Sequence, residues 1–295
     1  MQTKQQIQAV LGDLAAHPRH SLGQNFLIDG NLMRLVAEAG ELSPAHFAIE
    51  VGPGTGSLTE ELLSIGCPVL AVELDRILAQ HLREHFADQP LFTLIEGDAL
   101  AGKHALNAEL LQQIKSHEHV RLVANLPYQI ASPLVIEMLI AGVELLAFTV
   151  QKEVGQRLKA GVGHDLYGPL SVMAQLLSEV EILRTLPPQA FWPQPKIDSA
   201  LVRMRRRDRL GENATPFGAF LHRVFSYRRK MLRKAMLESD VTEAIADAAL
   251  SLAKIRPDCR PEKLGPQEWL QLFESVRCSD DLRHAEEEPS PQPSP

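Results

Sequence analysis

Between residues 46 and 151 the chain alternates short apolar runs with amphipathic stretches, and this alternation restricts the fold more than any other feature. HFAIEV, PVLAVEL, LFTLIE, VRLVAN and LLAFTVQ are each six or seven residues long and bounded by turn formers, the pattern of buried strands. Helical spacing fills the gaps near Leu58 to Ile65, Asp75 to Ala87, Asn107 to Lys115 and Ser132 to Ala141. Strands separated by helices pair in parallel, with helices covering both faces. Two further runs, VEILRTL and IDSALVRM, are joined by PPQAFWPQPK, which is too short for a crossover helix, so that pair is expected to be antiparallel. The expectation is an α/β domain with seven strands, the last one reversed.

Outside this block the patterning is helical. Ile7, Val10, Leu11 and Leu14 form an opening amphipathic segment, and a second helix is expected from about Asn31 to Ala39. From Thr215, read with Pro216 as the cap and first turn of a helix, the residues Phe217, Phe220, Leu221, Val224, Phe225, Leu232 and Met236 share one face. This places a domain boundary near Arg207 and predicts domains over 1–207 and 208–278. The tail SDDLRHAEEEPSPQPSP, 279–295, is acidic, proline-rich and free of aromatics, and is expected to be disordered.

With 295 residues and 45% hydrophobic content the chain can fill a sizeable core. Its apolar runs fall well short of the roughly 20 residues that span a bilayer, and MQTKQQIQAV lacks a signal-peptide layout, so no membrane association and a cytoplasmic location are expected. Cys67, Cys259 and Cys278 are too scattered for a disulfide framework or a zinc set. His81 and His85 share a helix face without a third ligand nearby, so no metal centre is expected. The net charge of -7 argues against a general nucleic-acid binder, but twelve Lys and Arg face three acids between Lys196 and Lys234. That local excess fits a phosphate-binding surface built from Arg205, Arg206, Arg207, Arg223, Arg228, Arg229, Lys230, Arg233 and Lys234. The alternative is a solvated helix face.

EVGPGTGSLTEEL sets Gly52, Gly54 and Gly56 directly after the first sheet strand and before a helix, where bare backbone can approach a nucleotide-like ligand. Glu73 ends the next strand, where a carboxylate can take ribose hydroxyls. These features alone do not separate NAD from S-adenosylmethionine. Glu50 facing an amino-acid moiety, Asp98 in EGDAL facing an adenine amine, and a reversed seventh strand favour S-adenosylmethionine.

Several separate motifs then converge: SLGQNFLID, EVGPGTGSLT, VELD, GDAL, NLPY, QKEV, YGPLSVM, FWPQPKIDSALVR and FSYRRKMLRKA. Together they resemble the bacterial small-subunit ribosomal RNA adenine N6,N6-dimethyltransferases over residues 17 to 275. The resemblance implies a class I methyltransferase fold with a Rossmann-like sheet and a small all-helical C-terminal domain. It implies S-adenosylmethionine as methyl donor, and dimethylation of two adjacent adenosines in a loop near the 3′ end of 16S ribosomal RNA during small-subunit biogenesis, by a monomer. It also implies cofactor contacts at Asn25, Leu27, Gly52, Glu73, Asp98 and Asn125. Gln129, Tyr227 and Met231 depart from the commonest pattern and bear on RNA fit rather than on chemistry.

The stretch Asn125, Leu126, Pro127, Tyr128 holds an amide and an aromatic ring but no acid or base. The exocyclic nitrogen of adenine is a poor nucleophile because its lone pair is delocalised. The Asn125 oxygen and a neighbouring main-chain carbonyl, freed by the Pro127 turn, can accept both N–H groups and localise that lone pair. Tyr128 offers a flat face to a base removed from its stack, and the resemblance makes Phe191 the opposite face, with Trp192 structural. Read in isolation, Asn125 and Pro127 are an ordinary turn. Three other functions share parts of this pattern: a resistance methyltransferase acting on large-subunit ribosomal RNA, a non-catalytic RNA-binding assembly factor, and a nicotinamide dehydrogenase.

Overall fold

Helices and strands follow one another as the alternation predicts, in a computed structural model that describes residues 2–19, 22–102 and 105–287. The chain opens with α1 (Lys4–Asp13), β1 (Phe26–Leu27) and α2 (Gly30–Ala39). The block β2 (Phe47–Val51), α3 (Ser57–Ser64), β3 (Val69–Glu73), α4 (Arg76–His85), β4 (Phe92–Glu96), α5 (Ala108–Ser116), β5 (Val120–Asn125), α6 (Ala131–Ala141) and β6 (Leu145–Gln151) comes next. After α7 (Lys152–Lys159) and α8 (Pro169–Leu177) come β7 (Ser178–Leu186), β8 (Phe191–Trp192) and β9 (Ser199–Arg206). Helices α9 (Ala214–Ser226), α10 (Leu232–Leu237), α11 (Glu243–Leu252) and α12 (Pro266–Glu287) complete the described chain.

Seven strands form one sheet in the order β4-β3-β2-β5-β6-β9-β7. Strands β2 to β6 are parallel, and β9 runs antiparallel to both β6 and β7. β2 and β3 are buried at every position, which is why their sequences read as unbroken apolar runs instead of alternating ones. Side-chain caps set the helix starts: Asp29 accepts the Asn31 and Leu32 N–H groups, and Asn107 those of Glu109 and Leu110. A second, two-stranded sheet pairs β1 with β8, antiparallel; two residues per strand are too few to show periodicity.

The chain divides into two compact units, residues 1–159 with 177–208, and residues 160–176 with 209–295. Of the two helices in the link between β6 and β7, α7 stays with the sheet unit, whereas residues 160–176, which carry most of α8, group with the helical unit. In the helical unit Trp269 and Phe217 are fully buried, and the ring of Phe225 lies 5.1 Å from that of Trp269. Thr215 and Pro216 sit inside α9, not at its cap, since a 3-10 turn over Gly211–Asn213 starts the helix earlier. The apolar face running to Met236 is divided between α9 and α10. The expected disordered tail also needs correction. Between 279 and 287 it continues α12, because DLRHAEE contains no helix breaker before Pro289; residues 288–295 lie outside the described residues.

Candidate active site

The carboxyl ends of β2, β3 and β5 open onto a crevice, the place where a doubly wound sheet offers unpaired backbone and room for a ligand. Its floor is the loop from Gly52 to Thr55. Gly52 and Gly54 hold φ of 74° and 63°, and a Cβ on Gly54 would come within 2.8 Å of the Phe26 ring. The loop therefore lies flat and exposes main chain. Gly54 donates its N–H to Glu73 Oε2 at 3.1 Å, and Asp75 donates to Glu73 Oε1 at 2.9 Å, so the backbone aims this carboxylate.

Glu50 and Glu73 both line the crevice, 1% and 5% exposed, with no cation paired to either among the described residues. Burial pushes the Glu50 carboxyl up to about 8 against the hydrogen bond donated by Thr59 Oγ1 at 2.6 Å, and it pushes Glu73 up to about 7. Two buried carboxylates without cations suit a ligand that brings positive charge and hydroxyl donors. Ser57 Oγ, also in the crevice wall and 6% exposed, has no hydrogen-bond partner among the described residues, as expected of a group whose partner is a ligand. Asn25, Leu27 and Asp98 line the same crevice. Asp98 is exposed and accepts the Leu100 N–H at 2.9 Å, which holds the EGDAL turn.

Asn125 to Tyr128 form the wall beside the glycine loop, with Pro127 against Gly52. Asn125 Nδ2 donates to the Asn25 carbonyl at 2.8 Å, and Thr149 Oγ1 donates to Asn125 Oδ1. Tyr128 Oη and Ser199 Oγ are hydrogen-bonded at 2.6 Å, and burial raises the Tyr128 hydroxyl above its ordinary range. Leu126 is buried, and Gln129, one of the departures from the common pattern, is exposed on the rim.

Three groups of expected site residues fall elsewhere. Gly56 does not line the crevice. It caps α3, where a Cβ would meet Phe86 at 2.9 Å, so its role is packing. Phe191 is 2% exposed and packs in the core with Leu27 and Met33. The β1–β8 register explains this: Leu27 and Phe191 pair and share the inner face, while Phe26 and Trp192 stack on the other, 6.2 Å apart. No second face of a base sandwich comes from Phe191 in this arrangement. Finally, β9 sets Ser199 against Gln151 at the crevice end and Arg205 against Leu145 at the far end, about 20 Å away at strand rise. There Arg205 pairs with Glu41 at 2.8 Å, Arg206 with Asp208 at 2.7 Å and Arg207 with Glu179 at 2.7 Å. These arginines are each paired with an acid at that end of the sheet.

In the helical unit Arg233 is held by Asp247 at 2.6 Å and by Glu243, and Lys230 by Glu238 and the Tyr227 ring. Arg223, Arg228, Arg229 and Lys234 are exposed and form no ion pair among the described residues. The surface hollow from Phe225 to Lys230 contains the two neighbouring arginines. Sequence reasoning missed Ser57, Leu74, Thr149 and Ser199. Leu74, 48% exposed beside Glu73, could be found from VELD and Ser57 from the glycine loop, but the Thr149 and Ser199 hydroxyls come from strands whose pairing no local pattern specifies.

A reversed strand within an otherwise parallel sheet, a glycine loop, a strand-end carboxylate and an amide at the end of β5 define a nucleoside-binding α/β enzyme of the class I methyltransferase type. The chain belongs to the ribosomal RNA adenine dimethylase family, whose model matches residues 15–277. It is 41% identical over 254 residues to the ribosomal RNA small subunit methyltransferase A of Deinococcus radiodurans, covering 84% of this chain and 83% of that protein. Its counterpart in Synechococcus sp. (strain JA-2-3B'a(2-13)) is 37% identical over 270 residues, covering 87% and 92%. Among solved structures, the 23S rRNA methyltransferase ErmE matches with a TM-score of 0.59 at 28% identity, over 86% of this chain and 100% of that one. A dimethyladenosine transferase from Plasmodium falciparum, at 20% identity, matches in fold with a TM-score of 0.66 over 85% and 97%. The family uses a methyl donor of the S-adenosylmethionine type and acts on ribosomal RNA. No helix among the described residues is long and apolar enough to cross a membrane.

Proposed function

We propose that this chain dimethylates N6 of two adjacent adenosines in a loop near the 3′ end of 16S ribosomal RNA, as a monomer working on the assembling small subunit. The observation that carries the reading is the Asn125 amide, fixed at the end of β5 in the wall of a crevice that also holds the buried carboxyls of Glu50 and Glu73. Glu73 would take the ribose hydroxyls of S-adenosylmethionine, Glu50 its ammonium, and Asp98 its adenine amine. When bound, that cofactor supplies a methyl group activated by a sulfonium. The remaining lone pair of Asn125 Oδ1 and the Leu126 carbonyl would accept the two N–H groups of the target amine in the first transfer, and one of them the single N–H left in the second, turning the nitrogen lone pair toward the methyl. Holding that geometry lowers the barrier by orientation and fixed dipoles and needs no general base. The methylated nitrogen is cationic and acidic, so its proton leaves to water. Tyr128 would support one face of the flipped base, its ring fixed through Ser199. Arg228 and Arg229 would contact RNA phosphates.

Incubation of unmethylated small subunits with labelled S-adenosylmethionine, followed by nucleoside mass spectrometry and mapping, tests this reading. Dimethyladenosine at two adjacent positions is the expected product, and absence of label would overturn it. The similarity to a 23S rRNA methyltransferase supports a second reading, action on the large subunit. The same assay with large subunits separates the two.

A further inference from the structure

We infer that Thr149 is a positioning residue for methyl transfer: its buried hydroxyl orients the amide of Asn125 toward the target amine. The inference rests on the role proposed above for Asn125. Parallel register pairs Asn125 of β5 with Thr149 of β6, so their side chains leave the sheet on the same face. Leu145 and Ala147 precede Thr149 on that face of β6 and belong to the apolar core. Thr149 ends this apolar column at the crevice end, and it is completely buried. Valine would fill the same volume and suit a strand as well, so the strand itself has no need of the hydroxyl. A buried hydroxyl costs free energy unless it is hydrogen-bonded, and this one donates to Asn125 Oδ1.

The bond has a specific consequence for the chemistry. An amide side chain carries two acceptor lone pairs and two N–H donors. Thr149 occupies one lone pair, and the Asn25 carbonyl takes one N–H at 2.8 Å. These partners act at opposite ends of the amide and define which end is oxygen and which is nitrogen. They leave one acceptor and one donor for a ligand in the crevice. Without the hydroxyl, the amide is held only through its nitrogen and can rotate about that contact. The acceptor would then no longer be fixed where the amine needs it, and the loss would fall on the chemical step, not on cofactor binding.

Four variants separate this role from packing: Thr149→Val and Thr149→Ala remove the hydroxyl, Thr149→Ser retains it without the methyl, and Asn125→Ala serves as reference. Single-turnover methylation at saturating cofactor and RNA should fall about tenfold or more in the Val and Ala variants. The Ser variant should recover most of the rate, although its cavity matches that of Ala more closely. Cofactor affinity by calorimetry should stay within about twofold in all Thr149 variants. In protein labelled with 15N-asparagine, the Asn125 side-chain amide signals should broaden or shift in Val and Ala but not in Ser. Wild-type rate in Thr149→Val, or a Ser variant as slow as Ala, would overturn the inference and leave Thr149 as a satisfied buried hydroxyl. An Asn125→Ala variant at wild-type rate would instead overturn the role of Asn125 itself.

Discussion

The two ends of one sheet treat charge in opposite ways. At the far end Arg203 meets Glu41 at 2.9 Å and Glu181 at 3.0 Å, Arg205 meets Glu41, and the Arg205 hydrogen bond holds the Glu41 carboxyl below its ordinary range. At the crevice end Glu50 and Glu73 are buried without cations, and burial raises both. A cluster that neutralises itself has little left to offer a ligand, whereas buried carboxyls raised by burial are ready to ionise against positive charge that a ligand brings. The five basic residues of Arg203–Arg209, conspicuous in sequence, therefore mark an end of the sheet away from the crevice. Unpaired burial marks the crevice end instead.

The sharpest way to break this contrast is Asn125→Ala, which should lower single-turnover methylation by about two orders of magnitude or more while the protein still folds. A rate within about threefold of wild type would show that the polar crevice end does not act on the amine. Next in size, Glu73→Ala should weaken S-adenosylmethionine binding by about 1 to 3 kcal/mol, since charge-assisted hydrogen bonds to its hydroxyls are lost. Calorimetry showing unchanged affinity removes Glu73 from the site.

Replacing Arg228 and Arg229 together by Ala should weaken RNA binding and reduce its salt dependence by about 0.7 per lost phosphate contact. An unaltered slope, measured by titration at several ionic strengths, would mean that these arginines face only solvent. Glu50→Gln tests the buried acid through pH. A carboxyl raised to about 8 contributes stability that is fully present below its unfolded value of about 4.5 and is lost as pH rises through about 8. In cofactor-free protein the melting temperature of wild type should therefore fall relative to Glu50→Gln between about pH 5 and pH 9. Parallel curves would contradict the account of Glu50 burial. The smallest effect is expected for Arg205→Ala, an exposed pair worth under about 1 kcal/mol and screened by salt, with methylation and RNA affinity unchanged. A clear loss of RNA affinity there would restore the far end as a binding surface.

Much of the site was legible because its signals are local. The glycine loop must sit between β2 and α3, the acid must end β3, and the NLPY stretch must follow β5, since strand and helix periods are properties of neighbouring residues. The burial of Phe191 was not legible because its face depends on a two-residue pairing with β1. The pairing of Arg205 to Arg207 was not legible because composition counts charges without showing that Glu41, Asp208 and Glu179 stand beside them.

The sequence by itself therefore determined the parallel α/β framework, the crevice and the residues along its principal walls, because each is encoded within one strand–loop–helix unit. Tertiary structure alone decided what holds those walls still. Thr149 reaches Asn125 through the β5–β6 register, and Ser199 reaches Tyr128 because β9 enters the sheet reversed beside β6. These partners lie 24 and 71 residues apart in the chain. Their meeting is set by strand pairing and register, which arise from burying whole faces of the sheet and not from any residue's immediate neighbours.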